Sequence, residues 1–293
     1  MKVTIFGKTF SNSFEPYIKE LFSKLEKHKV EIYVFEPFLN FMKTDINFNP
    51  KVAGCYKNHD SCPDNVDFMI SIGGDGTFLE CIAYLSNFNI PVVGINSGRL
   101  GFLANISRDE ISSAFDAIFL NKFELEFRSM IEIHTETKLF DGLNFALNEA
   151  TIQKKDSTMI KVDTYLNDEY LNTYWTDGLI ISTPTGSTAY SLSVGGPLIE
   201  PESNNFIIAP IASHNLSVRP IVVPDNKIVT LEVSSRSKNY LITVDNRTEV
   251  VNSEIGKIIL KKADFKLKML RLPFNTFYTT IRNKLLWGLD KRN

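Results

Sequence analysis

The chain has 293 residues, 32 basic and 34 acidic side chains, a formal net charge of −2 and 43% hydrophobic residues. So even a balance gives no sign of a nucleic-acid partner, and no apolar run approaches the roughly 20 residues of a membrane-spanning helix. The length suffices for one large or two ordinary domains.

In chain order, the first part alternates strand and helix patterns. Met1-Lys2-Val3-Thr4-Ile5-Phe6-Gly7 carries no apolar leader and runs directly into a strand over Lys2–Gly7, so the cytoplasm is the expected compartment. Tyr17, Ile18, Leu21, Phe22 and Leu25 share one face of a helix over 16–28, and a second strand covers Glu31–Phe35. The polar stretch 36–63, with its Asn, Asp, Lys and prolines, reads as a surface excursion. Val66-Asp67-Phe68-Met69-Ile70 is a buried strand, and Phe78 to Leu85 has helical spacing. Between them lies Ser71-Ile72-Gly73-Gly74-Asp75-Gly76-Thr77. A fourth strand, 91–95, enters a second glycine loop, Asn96-Ser97-Gly98-Arg99-Leu100-Gly101. Ser107 and Glu110 have capping-box spacing ahead of a helix with Ile111, Ala114, Phe115, Ile118 and Phe119 on one side. Strands separated by helices imply a doubly wound parallel α/β domain, assigned to residues 1–121 and completed by 271–293.

Near Asn121 the period drops to two. Phe123, Leu125 and Phe127 alternate, then Ile131 and Ile133; Asp141-Gly142 is a hairpin signal, and Asn167-Asp168 and Asp245-Asn246 are further turns. β patterns continue through Val222-Val223, 228–233, 240–244 and 255–269, so residues 122–270 form a mostly antiparallel β domain. Phe277, Ile281 and Leu285 return to helical spacing, and this C-terminal helix is expected to pack on the first domain.

Three cysteines make no disulfide framework. Cys55 and Cys62 bracket His59, yet the spacing fits no standard zinc pattern and no fourth ligand is in view; no protein side chain is assigned to a metal.

The turn at 73–76 is where chemistry begins. A strand, a glycine turn and a helix place free N–H groups at the strand's carboxyl end, and glycines let the backbone approach a phosphate. Asp75 is the odd member, because a carboxylate beside phosphate is repulsive unless it helps hold a cation or takes a proton from a hydroxyl. Gly-Asp-Gly is also a common plain turn, and these residues alone do not choose between the two. Walker A and Gly-x-Gly-x-x-Gly patterns are missing from the sequence. The segment 177–197 joins an apolar strand to a run of hydroxyls and small residues, Ser182-Thr183-Pro184-Thr185-Gly186-Ser187-Thr188-Ala189-Tyr190-Ser191, and then to Gly195-Gly196. Such a run offers many hydrogen bonds to a flat polar ligand, with Tyr190 able to stack. Asn148-Glu149 pairs an amide with a carboxylate at a strand end, a pair that could address a base edge and a ribose hydroxyl but that, taken alone, is better read as an exposed edge. Arg219 suits either a phosphate or the open surface.

In this order the motifs resemble those of the NAD kinase family, which forms NADP from NAD and ATP. Gly73-Gly74-Asp75-Gly76-Thr77 is similar to its first motif, Gly94-Ile95-Asn96 through Gly101-Phe102-Leu103 to its second, and Asn148-Glu149 to its third. The segment 177–197 resembles its signature, Arg219-Pro220 the motif that follows, and Arg282 to Gly288 its C-terminus. Diacylglycerol-type lipid kinases and phosphofructokinases share the glycine-aspartate motif but not the long segment. The resemblance implies that Asp75 is the general base on the 2′-hydroxyl of the adenosine ribose. It implies a substrate site of Gly73, Gly74, Asp75, Gly76, Asn148, Glu149, Trp175, Asp177, Thr185, Thr188, Ala189, Tyr190, Ser191, Leu192, Ser193, Ala212 and Asn246. Within it, Asn148 and Glu149 hold the adenosine, Thr188, Ala189 and Tyr190 surround its base, and Asp177, Ser193 and Ala212 contact the nicotinamide half. ATP as donor, Mg²⁺ or another divalent cation, and a homodimer or homotetramer are implied likewise. Trp175 departs from the basic residue often found two before the signature aspartate, and Asn246 stands where Gly or His is often nearby. The choices between NAD and NADH, and between ATP and polyphosphate, stay open. Two other readings are a lipid kinase, which would need a membrane-binding surface, and a non-catalytic dinucleotide sensor, which would need no base.

Overall fold

The computed structural model describes residues 1–98 and 100–288; Arg99 of the second glycine loop and residues 289–293 lie outside the described residues. The chain divides into two compact units, Met1–Phe127 with the stretch from Leu267 onward, and Arg128–Lys266.

In the first unit the elements are β1 (Lys2–Gly7), α1 (Glu15–Lys27), β2 (Glu31–Phe35), α2 (Glu36–Thr44), β3 (Gly54–Tyr56), β4 (Phe68–Gly73), α3 (Asp75–Ile82), β5 (Val92–Asn96) and α4 (Ile111–Phe119). The strands are parallel in the order β3-β2-β1-β4-β5. Their apolar runs are buried on both faces, with Val3, Ile5, Met69, Ile70, Ile72, Val92 and Ile95 at or near zero exposure, because helices cover a parallel sheet on both sides. Strand order reverses between β1 and β4, and ligands of open α/β sheets bind outside the carboxyl ends of the strands at such a reversal. β4 ends there in the glycine turn.

The stretch 36–63 is not a surface excursion. Pro37 lies in the first turn of α2, which buries Phe38, Leu39 and Met42, and β3 adds a parallel edge strand beside β2. Tyr56 is fully buried and donates its hydroxyl to the Ile5 carbonyl at 3.2 Å. Each buried large apolar side chain here contributes about 1.5–3 kcal/mol, enough to order a segment whose polar residues dominate its composition.

The second unit carries β6 (Glu124–His134, entering from the first), β7 (Phe145–Ala146), β8 (Glu149–Lys154), β9 (Ile160–Leu166), β10 (Glu169–Thr176), β11 (Gly178–Ser182), α5 (Tyr190–Ser193), β12 (Asn205–Ile211), β13 (Ile221–Pro224), β14 (Val229–Ser235), β15 (Asn239–Val244), β16 (Arg247–Asn252) and β17 (Ile258–Arg271). One antiparallel sheet runs β13-β12-β11-β8-β15-β16, and β10-β9-β14-β17 are antiparallel neighbours in the other. Ile152, Leu179, Ile181, Phe206 and Ile242 from the first sheet share a core with Val162, Val229, Leu231, Ile258 and Leu260 from the second, which is the packing of a β sandwich. On the other face of β11, Ile180 packs with Ile207 and Ala209 under Val194 and Ile199. The segment that follows β11 therefore folds back over its own strand. Asn167 and Asp168 both take positive φ in the two-residue β9–β10 turn. Asp141-Gly142 does not make a two-residue hairpin: it belongs to a short 3-10 turn inside the longer β6–β7 connection.

After β17, whose last residues pair with β5 through Met269 and Val92, α6 (Phe277–Leu285) belongs to the first unit. Thr276 caps it by accepting from the Thr279 N–H, and Asn275 donates to the Asn105 carbonyl at 3.0 Å.

Candidate active site

The expected site residues fall into two groups, one in each unit. In the first, Gly73 ends β4 at φ 156°, and a Cβ there would lie 2.3 Å from Thr77 Oγ1. Around Gly74 and Gly76 an added Cβ would meet nothing within 4 Å. Packing does not require glycine at these two positions, and the bare backbone leaves room for a ligand at the α3 N-terminus, where the first-turn N–H groups favour an anion.

Asp75 is the first residue of α3, and its carboxylate is clasped by the second glycine loop. Oδ2 accepts from the Phe102 N–H at 2.9 Å, and Oδ1 accepts from Leu103 and Ala104, each at 3.0 Å. Gly101 makes this possible, since a Cβ on it would sit 1.9 Å from Oδ1. Lys284 of α6 adds a fourth donor, its ammonium 3.4 Å from Oδ2 and 4.5 Å from the centre of the Phe102 ring. Asn96 supports the same loop by accepting from the Gly98 N–H at 2.7 Å. Lys8, just past β1, pairs with Glu80 on α3.

In the second unit, Asp245 organises the start of β8. It sits in the β15–β16 turn at φ 50° and accepts from the N–H groups of Leu147 at 2.8 Å, Asn148 at 2.7 Å and Glu149 at 3.3 Å. The Asn148 carbonyl in turn accepts from the Thr183 N–H at 2.8 Å and from Ser182 Oγ at 3.2 Å. Gly186 presses on that carbonyl: a Cβ there would be 2.2 Å from its oxygen. The turn at Thr185–Thr188 is thus seated on the Asn148 backbone. Tyr190 follows, its hydroxyl accepting from Gln153 Nε2 at 3.0 Å.

Glu149 is 8% exposed, and its Oε2 has no hydrogen-bond partner among the described residues. Burial first, then the neighbouring Asp245 charge, push its carboxyl up to about 8, against a smaller opposing effect of the Tyr190 N–H. Burial raises Asp245 as well. The fold therefore holds the Glu149 proton more tightly than the free chain, where the value is 4.5. Stability is full below about 4.5 and falls as pH rises towards 8, by about 1 kcal/mol per pH unit from this group. Between pH 5.5 and 8 the melting temperature should drop by about 3 °C per unit, and Glu149→Gln should flatten that slope. Equal slopes in thermal melts of the two proteins would contradict the assignment.

Asp177, Trp175 and Ala212 form a neighbouring cluster. Asp177 pairs with Lys154 at 2.8 Å and donates its N–H to the Ile211 carbonyl at 3.0 Å, while Ala212 takes φ 47°. Trp175 is 42% exposed and accepts from the His214 N–H at 2.8 Å. Thr188, Ala189 and Leu192 are half-buried, and Tyr190 and Ser193 are exposed. Thr185 and Ser191 turn inward instead: Thr185 meets Arg128 at 3.3 Å, and Ser191 Oγ lies where a Cβ on Gly196 would be only 2.2 Å away. Asn246 is exposed beside Asp245 at its turn. Sequence reasoning passed over Asp245, Lys154, Phe102 and Lys284. Asp245 had a signal in the turn composition next to Asn246, Phe102 one in its glycine loop and Lys284 one in the Arg282 to Gly288 stretch; Lys154 had none.

An open groove lined by His134, Glu136, Asp163, Glu232 and Lys257 holds none of the expected residues. No group of three or more His, Cys, Asp or Glu side chains among the described residues could hold a metal ion. No helix among the described residues is long and apolar enough to cross a membrane.

A glycine turn with open backbone beside a fixed carboxylate, at the reversal of a parallel sheet, is suited to an anionic ligand such as a phosphate. Residues 3–123 match the ATP-NAD kinase N-terminal domain and residues 147–272 the ATP-NAD kinase C-terminal domain. The NAD kinases of Flavobacterium psychrophilum and Cytophaga hutchinsonii are each 44% identical to the chain, and that of Bacteroides fragilis 42%, all with 100% of both chains covered. The fold is also that of yeast NADH kinase solved with NADH, with TM-score 0.83 and 22% identity over 99% of this chain and 89% of that one. An NAD kinase from Archaeoglobus fulgidus in complex with ATP gives TM-score 0.74 and 24% identity over 97% of each chain. The chain belongs to the NAD kinase family, and it is a kinase with a mixed parallel α/β and antiparallel β architecture.

Proposed function

We propose that the protein transfers the γ-phosphoryl group of ATP to the 2′-hydroxyl of the adenosine ribose of NAD, with Asp75 as the general base. The carboxylate takes the hydroxyl proton, the oxygen's electron pair forms the new bond to phosphorus, and the bond to the bridging oxygen of ADP breaks. The observation that carries this reading is the clasp on Asp75: three backbone N–H groups fix an acidic side chain beside a glycine-lined helix N-terminus built for phosphate.

Glycine-turn N–H groups receive phosphates. Asn148, Glu149 and the 185–193 segment bind the adenosine, and Asp177, Ser193 and Ala212 the nicotinamide half, with Trp175 and Asn246 at its margin. Mg²⁺ or another divalent cation, brought by the nucleotide phosphates, would offset their charge. The protein works in the cytoplasm as a homodimer or homotetramer.

Purified protein given ATP or polyphosphate as donor, and NAD or NADH as acceptor, in all four combinations with Mg²⁺, tests the reading. ATP with NAD should yield NADP. Absence of a phosphorylated dinucleotide in every combination would overturn it.

A further inference from the structure

The C-terminal helix delivers a cation to the acidic turn from 209 residues further along the chain. Lys284 stands in the last turn of α6, where a positive side chain is favoured by the helix dipole. That helix is anchored at its start by the Thr276 cap and the Asn275–Asn105 bond, and along its length by buried Thr280 and Ile281. The lysine is therefore positioned by the fold, and it lies over the Phe102 ring, whose own backbone N–H meets the same Asp75 oxygen.

Its contact with Asp75 is the loosest of the four donors. The three amides lie at 2.9–3.0 Å and the ammonium at 3.4 Å, and the lysine side chain is 32% exposed. The amides alone orient the carboxylate, and an ammonium has three donors to use. A phosphoryl group within reach of the same hydroxyl as Asp75 brings a second anion next to the first. These two repel, and a loose phosphoryl-transfer transition state spreads further charge over its equatorial oxygens.

We propose that Lys284 neutralises the transferring phosphoryl group: its ammonium rests on Asp75 Oδ2 in the free enzyme and shifts to a phosphoryl oxygen when the donor binds. The shift serves two ends. It supplies the cation that the two anions need, and it leaves Asp75 Oδ2, which keeps the Phe102 N–H, a lone pair to take the hydroxyl proton. The proposal rests on Asp75 as the general base.

Lys284→Met keeps an unbranched side chain of similar length and removes the charge; Lys284→Gln and Lys284→Arg accompany it. A charge-assisted contact made in the transition state predicts a kcat lowered by about 10- to 100-fold in the Met and Gln variants, with Arg recovering most of the loss. The NAD dissociation constant and the melting temperature should stay at their wild-type values. In an Asp75→Asn background, Lys284→Met should still lower kcat by a similar factor. A Met variant within about twofold of wild type would overturn the proposal, as would a loss that disappears once Asp75 is replaced, which would make Lys284 only a positioning residue. Near-normal turnover of Asp75→Asn alone would instead overturn the base assignment, and the Lys284→Met factor measured in the wild-type background would still decide the lysine's role.

Discussion

Asp75→Asn is expected to lower turnover by about 10²- to 10⁴-fold, the range of general-base assistance, while NAD still binds. The substitution nearly preserves shape but not hydrogen-bonding capacity. Four donors converge on the carboxylate: the N–H groups of Phe102, Leu103 and Ala104, and the Lys284 ammonium. An asparagine offers one accepting oxygen, so its NH₂ must face at least one donor, whichever way the amide is turned. Leaving such donors unmet costs about 1–3 kcal/mol, which thermal melts of the variant will register as a lower melting temperature. Two readouts separate the effects. Calorimetric NAD affinity should hold within about threefold, because the residues proposed to bind NAD lie on the second unit, whereas kcat should collapse. If turnover is near normal, the carboxylate is not the base, and the clasp serves only to fix the loop at 101–104.

Gly186→Ala is expected to damage the second unit and its NAD binding. The added Cβ would lie 2.2 Å from the Asn148 carbonyl oxygen, 2.6 Å from its carbon and 2.5 Å from Ser182 Oγ. Backbone has no spare rotamer, so the Thr185–Thr188 turn must move off Asn148, disturbing the bonds from Thr183 and Ser182 to that carbonyl. Overpacking of this kind costs about 1–3 kcal/mol. The displaced turn carries Thr188, Ala189 and Tyr190 with it, so NAD affinity should weaken by more than about tenfold. Calorimetry and a thermal melt check both parts. A variant that melts lower and yet binds NAD like wild type would exclude the 185–190 turn from the dinucleotide site.

Some of this was legible in the sequence because local chemistry and the fold agree. The β4 strand, its glycine turn and α3 combine a continuous apolar run with residues that suit a phosphate turn, and no distant contact is needed to recognise them. Asn167-Asp168 was a turn on composition, and both residues take the left-handed conformation. Ser107 and Glu110 cap one another as their spacing required. What the sequence hid is what long-range contact decides. Phe38, Leu39 and Met42 carry a helical face only nine residues long, which the surrounding Asn, Asp and Lys obscure. Glu149 is an ordinary strand-end glutamate until burial and Asp245 reach it from 96 residues away, as measured by the bond to its N–H. Lys284 is one of 32 basic residues until α6 brings it to Asp75.

Glycine positions illustrate the same division. Gly73 and Gly101 are needed for reasons visible only in three dimensions, a positive φ against Thr77 in one case and the Asp75 oxygen in the other. Gly74 and Gly76 are surrounded by open space, and their role is proposed from chemistry: backbone N–H groups left bare for phosphate.

The most direct test of the account is the position of the phosphate in the product. Wild-type protein incubated with NAD, Mg²⁺ and ATP carrying oxygen-18 on its γ-phosphoryl group, followed by phosphorus NMR of the dinucleotide, should place the isotope-shifted phosphate as a monoester on the 2′-oxygen of the adenosine ribose. Label on any other oxygen, or an unlabelled dinucleotide, would contradict it.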